Sequence, residues 1–324
     1  MSLTRTTLDR SSEPGLSPRP TIMAMGVKAG QCLSTPGFSG EVISAGTRAA
    51  YIATNKGEIL AVCRPDQQPH PRSFLTDMDL SMFHVGLRTW LEGNELCFSS
   101  GIALNLNGHK VWDRQPLEAG GATPIHRLRS RCEDLLQAAL DILEGENLGL
   151  ALSSFTEDGN AGYSRVLPHA TSPLIAAGVE RIRELLPHCR CGDLHSVLPI
   201  AEQLIGLGPG LTPSGDDFVG GLTFMAFHLN RAYPTGRWLE GGDIPALLAR
   251  SESMTSRISH ALLTDLAEGQ SHDSLHDLVD SLFSDAGEFG SSEHVRRVAE
   301  IGHSSGWDML TGMLAGLLPV IYRA

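Results

Sequence analysis

The chain has 324 residues, of which 41% are hydrophobic and 19% charged, a composition typical of a globular protein large enough for two hydrophobic cores. Its net charge of −12 and its lack of any lysine or arginine run exclude nucleic acids and anionic membranes as partners, because the protein's field repels both. No apolar stretch reaches membrane-spanning length and the N-terminus lacks an apolar signal core, which predicts a cytoplasmic protein that binds small molecules or other proteins.

The first part of the chain is predicted to be a disordered tail followed by a small, mostly antiparallel β domain. Residues 1–20 are rich in Ser, Thr, Arg and Pro without apolar periodicity, which is typical of disorder. Residues 21–118 contain short β-prone runs separated by turn signals. The segment Gly30 to Gly46 is either a binding loop or a set of turns and bulges. The β-prone runs include Glu41 to Ala45, Ala49 to Thr54, Ile59 to Cys63, Glu95 to Ser99 and Ile102 to Asn105.

Residues 119–324 are predicted to form a helical domain, which makes the fold class α+β. Beyond the break at Gly120 to Pro124, apolar residues recur at helical spacing from Ile125 to Leu143. Ser172 and Pro173 are typical of a helix start, and Asp193 opens a helix that Gly206 closes. Further helices are expected near 244–268, 272–284, 292–301 and 306–322.

Six cysteines are scattered along the chain, which predicts reduced thiols. The pair Cys189 and Cys191 has no second pair that would complete a zinc tetrahedron, so we predict no structural metal. The full set is Cys32, Cys63, Cys97, Cys132, Cys189 and Cys191.

The stretch Gly206 to Gly221, GLGPGLTPSGDDFVGG, is predicted to be a site loop at the cleft between the two domains. Its glycines allow a ligand to approach the backbone, and Ser214 or Asp216 can cap the apolar helix that follows. The free amides at that helix start would bind an anion such as phosphate. Asp216 and Asp217 stand where a P-loop has Lys and then Ser or Thr, so this is not a P-loop. The alternative is a glycine-rich turn before a core helix.

A second stretch, Ser305 to Met313, repeats the pattern of Ser214 to Leu222 and also opens an apolar, glycine-containing helix. We expect Gly220, Gly221, Gly312 and Gly316 to allow close contact between these two helices. Asp217 and Asp308 would then face one pocket. The alternative is two independent capped core helices.

Two stretches, GLGPGLTPSGDDFVGG and IGHSSGWDMLTGMLAGLL, carry a resemblance to a known family, and a third, SGEVISAGTRAAYIATNKGEILAVC, carries it more weakly. The chain resembles the bacterial family that includes AllH, a subunit of the oxamate carbamoyltransferase of anaerobic allantoin degradation. The resemblance covers most of residues 30–322. It implies phosphorolysis of oxalurate to oxamate and carbamoyl phosphate, in a complex with other carbamoyltransferase subunits. Classical transcarbamylases give no further support, because their Ser-Thr-Arg-Thr phosphate motif is absent here.

Carbamoyl transfer needs a phosphate site, donors for the carbonyl oxygen and a cation for the substrate carboxylate. Asp217 or Asp308 would accept a hydrogen bond from the carbamoyl amino group or hold a divalent cation. No other cofactor is expected. Arg257 is the candidate cation, or else an ordinary surface arginine. The predicted catalytic residues are Asp216, Asp217 and Asp308; those predicted to bind substrate or phosphate are Gly208, Gly210, Thr212, Ser214, Gly215, Arg257, His303, Ser304 and Ser305.

Two other functions stay open at this point. The chain offers no unambiguous pair of nucleophile and base, so a non-catalytic subunit that binds a ligand or organises the complex is one alternative. An enzyme acting on another small carboxylate or phosphorylated metabolite is the other. A homo-oligomer is compatible with each reading.

Overall fold

The computed structural model describes residues 20–115, 123–156, 170–234, 242–285 and 287–323. A curled mixed sheet within residues 22–112 precedes a helical region within residues 125–323, which confirms the α+β fold class. Residues 1–19 of the predicted tail lie outside the described residues, and the domain boundaries stay predictions. Within the described residues, no helix is long and apolar enough to cross a membrane.

Nine strands form a single sheet in the order β8-β7-β6-β2-β3-β4-β5-β1-β9. Six neighbouring pairs are antiparallel, whereas β4–β5 and β1–β9 are parallel. A bridge between Thr21 and Asn105 connects the β1 end to β8 and so curls the sheet. The strands are β1 (Ile22–Gly26), β2 (Ser39–Ala45), β3 (Ala49–Thr54), β4 (Ile59–Cys63), β5 (Ser73–Thr76), β6 (Arg88–Glu92), β7 (Glu95–Phe98), β8 (Ala103–Asn105) and β9 (Lys110–Trp112).

Each of the five predicted β runs contains a strand, but β1, β5, β6 and β9 were not predicted. A short helix, α1 (Val27–Leu33), was also missed because it follows β1 directly and has no capping side chain. The segment from Gly30 to Gly46 forms the end of α1, a turn and the bulged strand β2. Turns account for Gly37 and Gly46, whereas Gly30 lies within α1 and Gly40 allows close approach to the Ala53 carbonyl oxygen in the sheet.

The helical region is built around two long helices, α5 (Ser214–Ala232) and α10 (Ser305–Arg323). The single helix expected near 244–268 is wrong: the chain breaks at residues 252–256, where Ser256 caps a new helix by accepting from the Ser259 amide. Two 3₁₀ segments, Leu148–Ser154 with seven residues and Glu202–Leu204 with three, also belong to the region. The other helices are α2 (Ile125–Ile142), α3 (Pro173–Cys191), α4 (Leu194–Ala201), α6 (Ile244–Ser251), α7 (Arg257–Ala267), α8 (Asp273–Phe283) and α9 (Ser291–Ala299).

Glycines allow α5 and α10 to touch backbone to backbone, as the repeated pattern predicts. A Cβ atom at Gly221 would lie 2.0 Å from the Met309 carbonyl oxygen, and one at Gly312 would lie 1.9 Å from that of Phe218. Gly316 packs on Met225 in the same interface. Gly220 is the exception, because it faces Leu266 on α7.

The sheet and the helical region are joined by a buried ionic cluster. Asp265 on α7 is fully buried and accepts hydrogen bonds from Arg72 Nε at 2.5 Å and Nη2 at 2.8 Å. Lys28 on α1 also binds Asp265, at 2.7 Å. Two cations from the sheet side therefore converge on one carboxylate of the helical region.

Candidate functional site

A cavity of about 220 Å³ lies where the sheet meets the starts of α5 and α10. Strands β3 and β4 and the loop after β4 form one wall, and the predicted site loop, α7 and residues 271–272 contribute to the other. Its polar and charged lining residues are Arg48, Tyr51, Asp66, Gln67, Gln68, His70, Arg72, Ser73, Thr212, Asp217, Ser271, His272, Glu300 and Ser305.

Asp217 is the predicted catalytic residue that lines this cavity. Its side chain is 6% exposed, and in the described part of the chain its Oδ2 atom has no hydrogen-bond partner. Burial raises the pKa of Asp217 well above its usual value, and repulsion from Asp308 adds to this effect. The nearby hydroxyls of Thr212 and Ser305, which lie 3.2 Å apart, oppose the rise. Asp217 therefore keeps a proton at pH values where an exposed aspartate has lost it.

Asp308 is close enough to Asp217 to interact with it electrostatically and has no exposed surface. Its Oδ1 atom accepts a hydrogen bond of 2.8 Å from the Leu148 amide, while Oδ2 has no partner among the described residues. Burial raises the pKa of Asp308 to about 6, although the hydroxyls of Ser214 and Ser304 lie close enough to counter part of the rise. The two aspartates thus interact electrostatically, but only Asp217 lines the cavity.

Asp216, also predicted to be catalytic, points away from the cavity. Its carboxylate accepts hydrogen bonds from the Gly206 amide at 2.6 Å, from Ser259 Oγ at 2.5 Å and from Thr255 Oγ1. It therefore ties the site loop to the start of α7. It does not cap α5: Pro213 occupies the N-cap position and no side chain caps the helix, so the predicted cap by Ser214 or Asp216 is wrong.

The backbone amides at the start of α5 are largely engaged inside the protein. The Gly215 amide donates to the Leu207 carbonyl at 2.9 Å, and the amides of Asp216 and Asp217 donate to Pro213 at 2.9 and 3.2 Å. These contacts do not favour the predicted anion site at Gly215, and phosphate binding by the loop stays a prediction.

The backbone of the site loop requires glycine at three positions. A Cβ atom at Gly215 would lie 1.9 Å from the Leu204 carbonyl oxygen, and one at Gly208 would lie 2.6 Å from the Ser214 nitrogen. Gly210 is exposed and has a φ of 96°, a conformation that side-chain-bearing residues rarely adopt. The glycines at these three positions are therefore explained by the loop's own geometry.

The remaining predicted residues are divided between the site and its surroundings. Thr212 and Ser305 line the cavity, and Ser214 is buried close to Asp308. Ser304 is half-buried and His303 is exposed just before α10. Arg257 lines a separate pocket next to α7 and does not line the cavity.

Arg48 is a cavity residue that sequence reasoning missed. It lies between β2 and β3, is exposed, and donates from Nη1 to the Gly302 carbonyl at 2.6 Å. Arg72 also lines the cavity, but Asp265 and Glu58 compensate its charge. The weakly matching segment that contains Gly-Thr-Arg was the one available signal for Arg48.

The cavity offers weak nucleophiles. Burial raises the pKa of Cys63 to about 12, so its side chain is a thiol at neutral pH. Burial, helped by Cys63 and Asp217, also raises the pKa of Tyr51. This environment suits a reaction in which the substrates react directly with each other.

Residues 204–317, which include the site loop and most of α10, match the family model described as oxamate carbamoyltransferase subunit AllH. No solved structure matches the chain. The expected resemblance to the AllH family is thereby confirmed over residues 204–317, and this match supports a carbamoyltransferase-related subunit.

Proposed function

We propose that this chain is a subunit of a carbamoyltransferase that converts oxalurate and phosphate to oxamate and carbamoyl phosphate in anaerobic allantoin and purine degradation. We propose further that its cavity holds the substrate. The observation that carries the proposal is that Asp217 Oδ2 has no hydrogen-bond partner among the described residues. Asp217 lies in the wall of a cavity that Arg48 also lines. A proton-bearing carboxyl group and a cation suit a molecule with an amide at one end and a carboxylate at the other.

The reaction joins a phosphate oxygen to the ureido carbonyl carbon and breaks the bond from that carbon to the inner nitrogen. The leaving nitrogen becomes the amino group of oxamate and therefore needs a proton. Asp217 supplies this proton, since burial raises its pKa well above that of an exposed aspartate and so favours the protonated form. Arg48 binds the substrate carboxylate, the role first assigned to Arg257.

A divalent cation would have to draw ligands from several sources. The described residues contain no group of three or more His, Cys, Asp or Glu side chains that could hold a metal ion. Oxygens of phosphate, of the substrate or of a partner subunit would have to supply most of its coordination.

A non-catalytic ligand-binding or assembly subunit is the second candidate. The raised pKa values of Cys63 and Tyr51 favour it, because neither side chain is an activated nucleophile. In that case the cavity would bind a small carboxylate while the reaction takes place on another subunit.

The two candidates differ in how the assembled complex responds to Asp217→Asn. The complex is assembled from the chain and the neighbouring gene products, and formation of carbamoyl phosphate from oxalurate and phosphate is measured. We expect at least a hundredfold lower turnover with Asp217→Asn, in line with the roughly 10²–10⁴-fold contribution of general acid–base catalysis. Asp134→Asn, the same change on the exposed face of α2, is the matched control.

Near-normal turnover by the Asp217→Asn complex would contradict the catalytic proposal. Normal turnover by a complex that lacks this chain would remove both candidates. Loss of turnover without this chain, combined with normal turnover for Asp217→Asn, would favour the assembly role.

A further inference from the structure

The segment Gln270–Ser274, which covers the end of the α7–α8 connection and the start of α8, contains several buried polar atoms without partners. Within the described residues, Gln270 Oε1, Ser271 Oγ, His272 Nδ1 and Ser274 Oγ all lack a hydrogen bond. Such atoms are rare in folded proteins, because leaving a polar group unpaired in the interior costs free energy. A run of four within five residues therefore calls for a physical explanation.

Two of these residues, Ser271 and His272, line the cavity. Ser271 is 1% exposed, and its amide donates to His276 Nε2 at 3.2 Å. The next part of the segment is held by the sheet side, since the Ser274 amide donates to Gln68 Oε1 at 3.1 Å. The backbone is thus fixed from both sides, and Ser271 and His272 contribute buried, unpartnered side-chain atoms to the wall of the cavity.

The three titratable side chains His272, His70 and Arg72 present no uncompensated charge to this part of the cavity. Burial lowers the pKa of His272 to about 4, so its ring is neutral near pH 7. The ring of His70, with its centroid 4.8 Å away, is neutral as well, because burial holds its pKa well below the usual value. Arg72 is charged, but it is bound to Asp265 and Glu58.

We propose that Ser271 and His272 form a subsite for an uncharged amide group of a small ligand. An amide has one acceptor and at least one donor, which match a neutral imidazole nitrogen and a hydroxyl group. A carboxylate or an ammonium group placed here would lose its hydration without gaining an opposite charge. The inference rests on the proposed function for its substrate and adds an orientation, with the amide at Ser271 and the carboxylate at the exposed Arg48.

The subsite predicts a preference between two probes of similar size. Oxamate has one amide and one carboxylate, whereas oxalate has two carboxylates. Calorimetric titration of the full chain should show tighter binding of oxamate. Ser271→Ala should weaken oxamate binding roughly fivefold to tenfold, the usual effect of losing one neutral hydrogen bond, and leave oxalate binding unchanged.

Ser274→Ala is the matched control, because Ser274 Oγ is equally buried and unpartnered among the described residues but does not line the cavity. It should bind oxamate like the parent chain. His272→Phe, which keeps an aromatic ring beside His70, is a second test and should also weaken oxamate binding selectively.

The subsite would be overturned by equal effects of Ser271→Ala and Ser274→Ala, by a preference for oxalate, or by lack of saturable oxamate binding. Failure of the proposed function has a different signature. The complex could bind oxamate selectively, in a way that depends on Ser271, and still form no carbamoyl phosphate from oxalurate. That result would support the subsite and contradict the proposed reaction.

Discussion

Two adjacent carboxylates in the site loop have opposite environments, although the sequence presents them as a pair. Asp216 receives hydrogen bonds from Gly206, Ser259 and Thr255, so its charge is compensated by the loop and α7. Asp217, one residue later, faces the cavity with an unpartnered oxygen among the described residues. Successive residues of a helix point about 100° apart, so one carboxylate stabilises the loop while its neighbour faces a ligand.

Asp308 should make the protein less stable as the pH rises. Its pKa is raised from 3.8 to about 6, so the folded protein retains a proton that the unfolded chain has lost between these values. The associated stability is fully present below about pH 4 and is lost as the pH passes through about 6. The difference in pKa corresponds to roughly 3 kcal/mol.

Asp308→Asn removes this ionisation and keeps an oxygen that can accept from the Leu148 amide. We expect the variant to match the parent chain near pH 4 and to be about 2–3 kcal/mol more stable at pH 8, measured by urea unfolding. Asp134→Asn on the exposed face of α2 should change the stability by less than about 0.5 kcal/mol at both pH values. A variant that is less stable than the parent at pH 8 would contradict this origin of the raised pKa.

At the scale of elements, the repeated Ser-Gly-x-Asp pattern describes a helix pair better than it describes a shared binding loop. Gly306, like Gly215, is a contact point at a helix start: its Cβ atom would lie 2.0 Å from the Val298 carbonyl oxygen on α9. The same requirement for close approach recurs further along both helices. The pattern therefore reflects two helices that pack closely against each other and whose starts pack closely against other parts of the chain.

Gly312→Ala should be destabilising because the new methyl group would meet backbone atoms. Its Cβ atom would lie 1.9 Å from the Phe218 carbonyl oxygen, which cannot move without displacing α5. We expect a net loss of about 2 kcal/mol in urea unfolding, after a gain of about 1 kcal/mol in helix propensity.

Gly220→Ala is the matched comparison for this prediction. Its Cβ atom would meet Leu266 Cδ1 at 2.4 Å, the flexible end of a side chain that can rotate away. The change in stability should stay within about 1 kcal/mol, since the gain in helix propensity offsets the crowding. Equal losses of stability in the two variants would show that the contact with the Phe218 backbone is not what makes Gly312→Ala destabilising.

The sequence predicted the fold class and the close helix pair because both depend on local periodicity and on glycine spacing. It did not predict β5, whose four residues, Ser73–Thr76, are all buried and lack alternation. Of the residues that line the cavity, the sequence singled out only those near the starts of α5 and α10, namely Thr212, Asp217 and Ser305. Arg48, Ser271 and His272 reach the cavity from distant parts of the chain, and such contacts leave no spacing that a single sequence reveals.

At the scale of the whole molecule, the cavity exists because the sheet is held against the helical region. The ionic cluster around Asp265 lies next to it, and Arg72 belongs to both. Burial opposes the charge of Arg72, but Asp265 and Glu58 together raise its pKa. His70 Nε2 lies 3.9 Å from Asp265 as well. The same residues that join the two parts therefore also shape one wall of the site.

Asp265→Asn should weaken both the fold and the cavity, because it leaves Arg72 and Lys28 with an uncharged partner in a largely buried position. Breaking a buried ion pair typically costs about 3–5 kcal/mol, whereas an exposed pair contributes about 1 kcal/mol or less. Arg64→Ala, which removes the exposed 2.9 Å pair with Asp66, is the control.

Urea unfolding and oxamate titration of the same preparations test this expectation together. The Asp265→Asn variant should lose about 3 kcal/mol of stability and bind oxamate at least tenfold more weakly, since residues on both sides of the junction must stay in place. Arg64→Ala should change stability by less than about 1 kcal/mol. A loss of stability with normal oxamate affinity would mean that the junction maintains the fold without shaping the site. Equal effects of the two variants would mean that the buried cluster contributes no more than a surface pair.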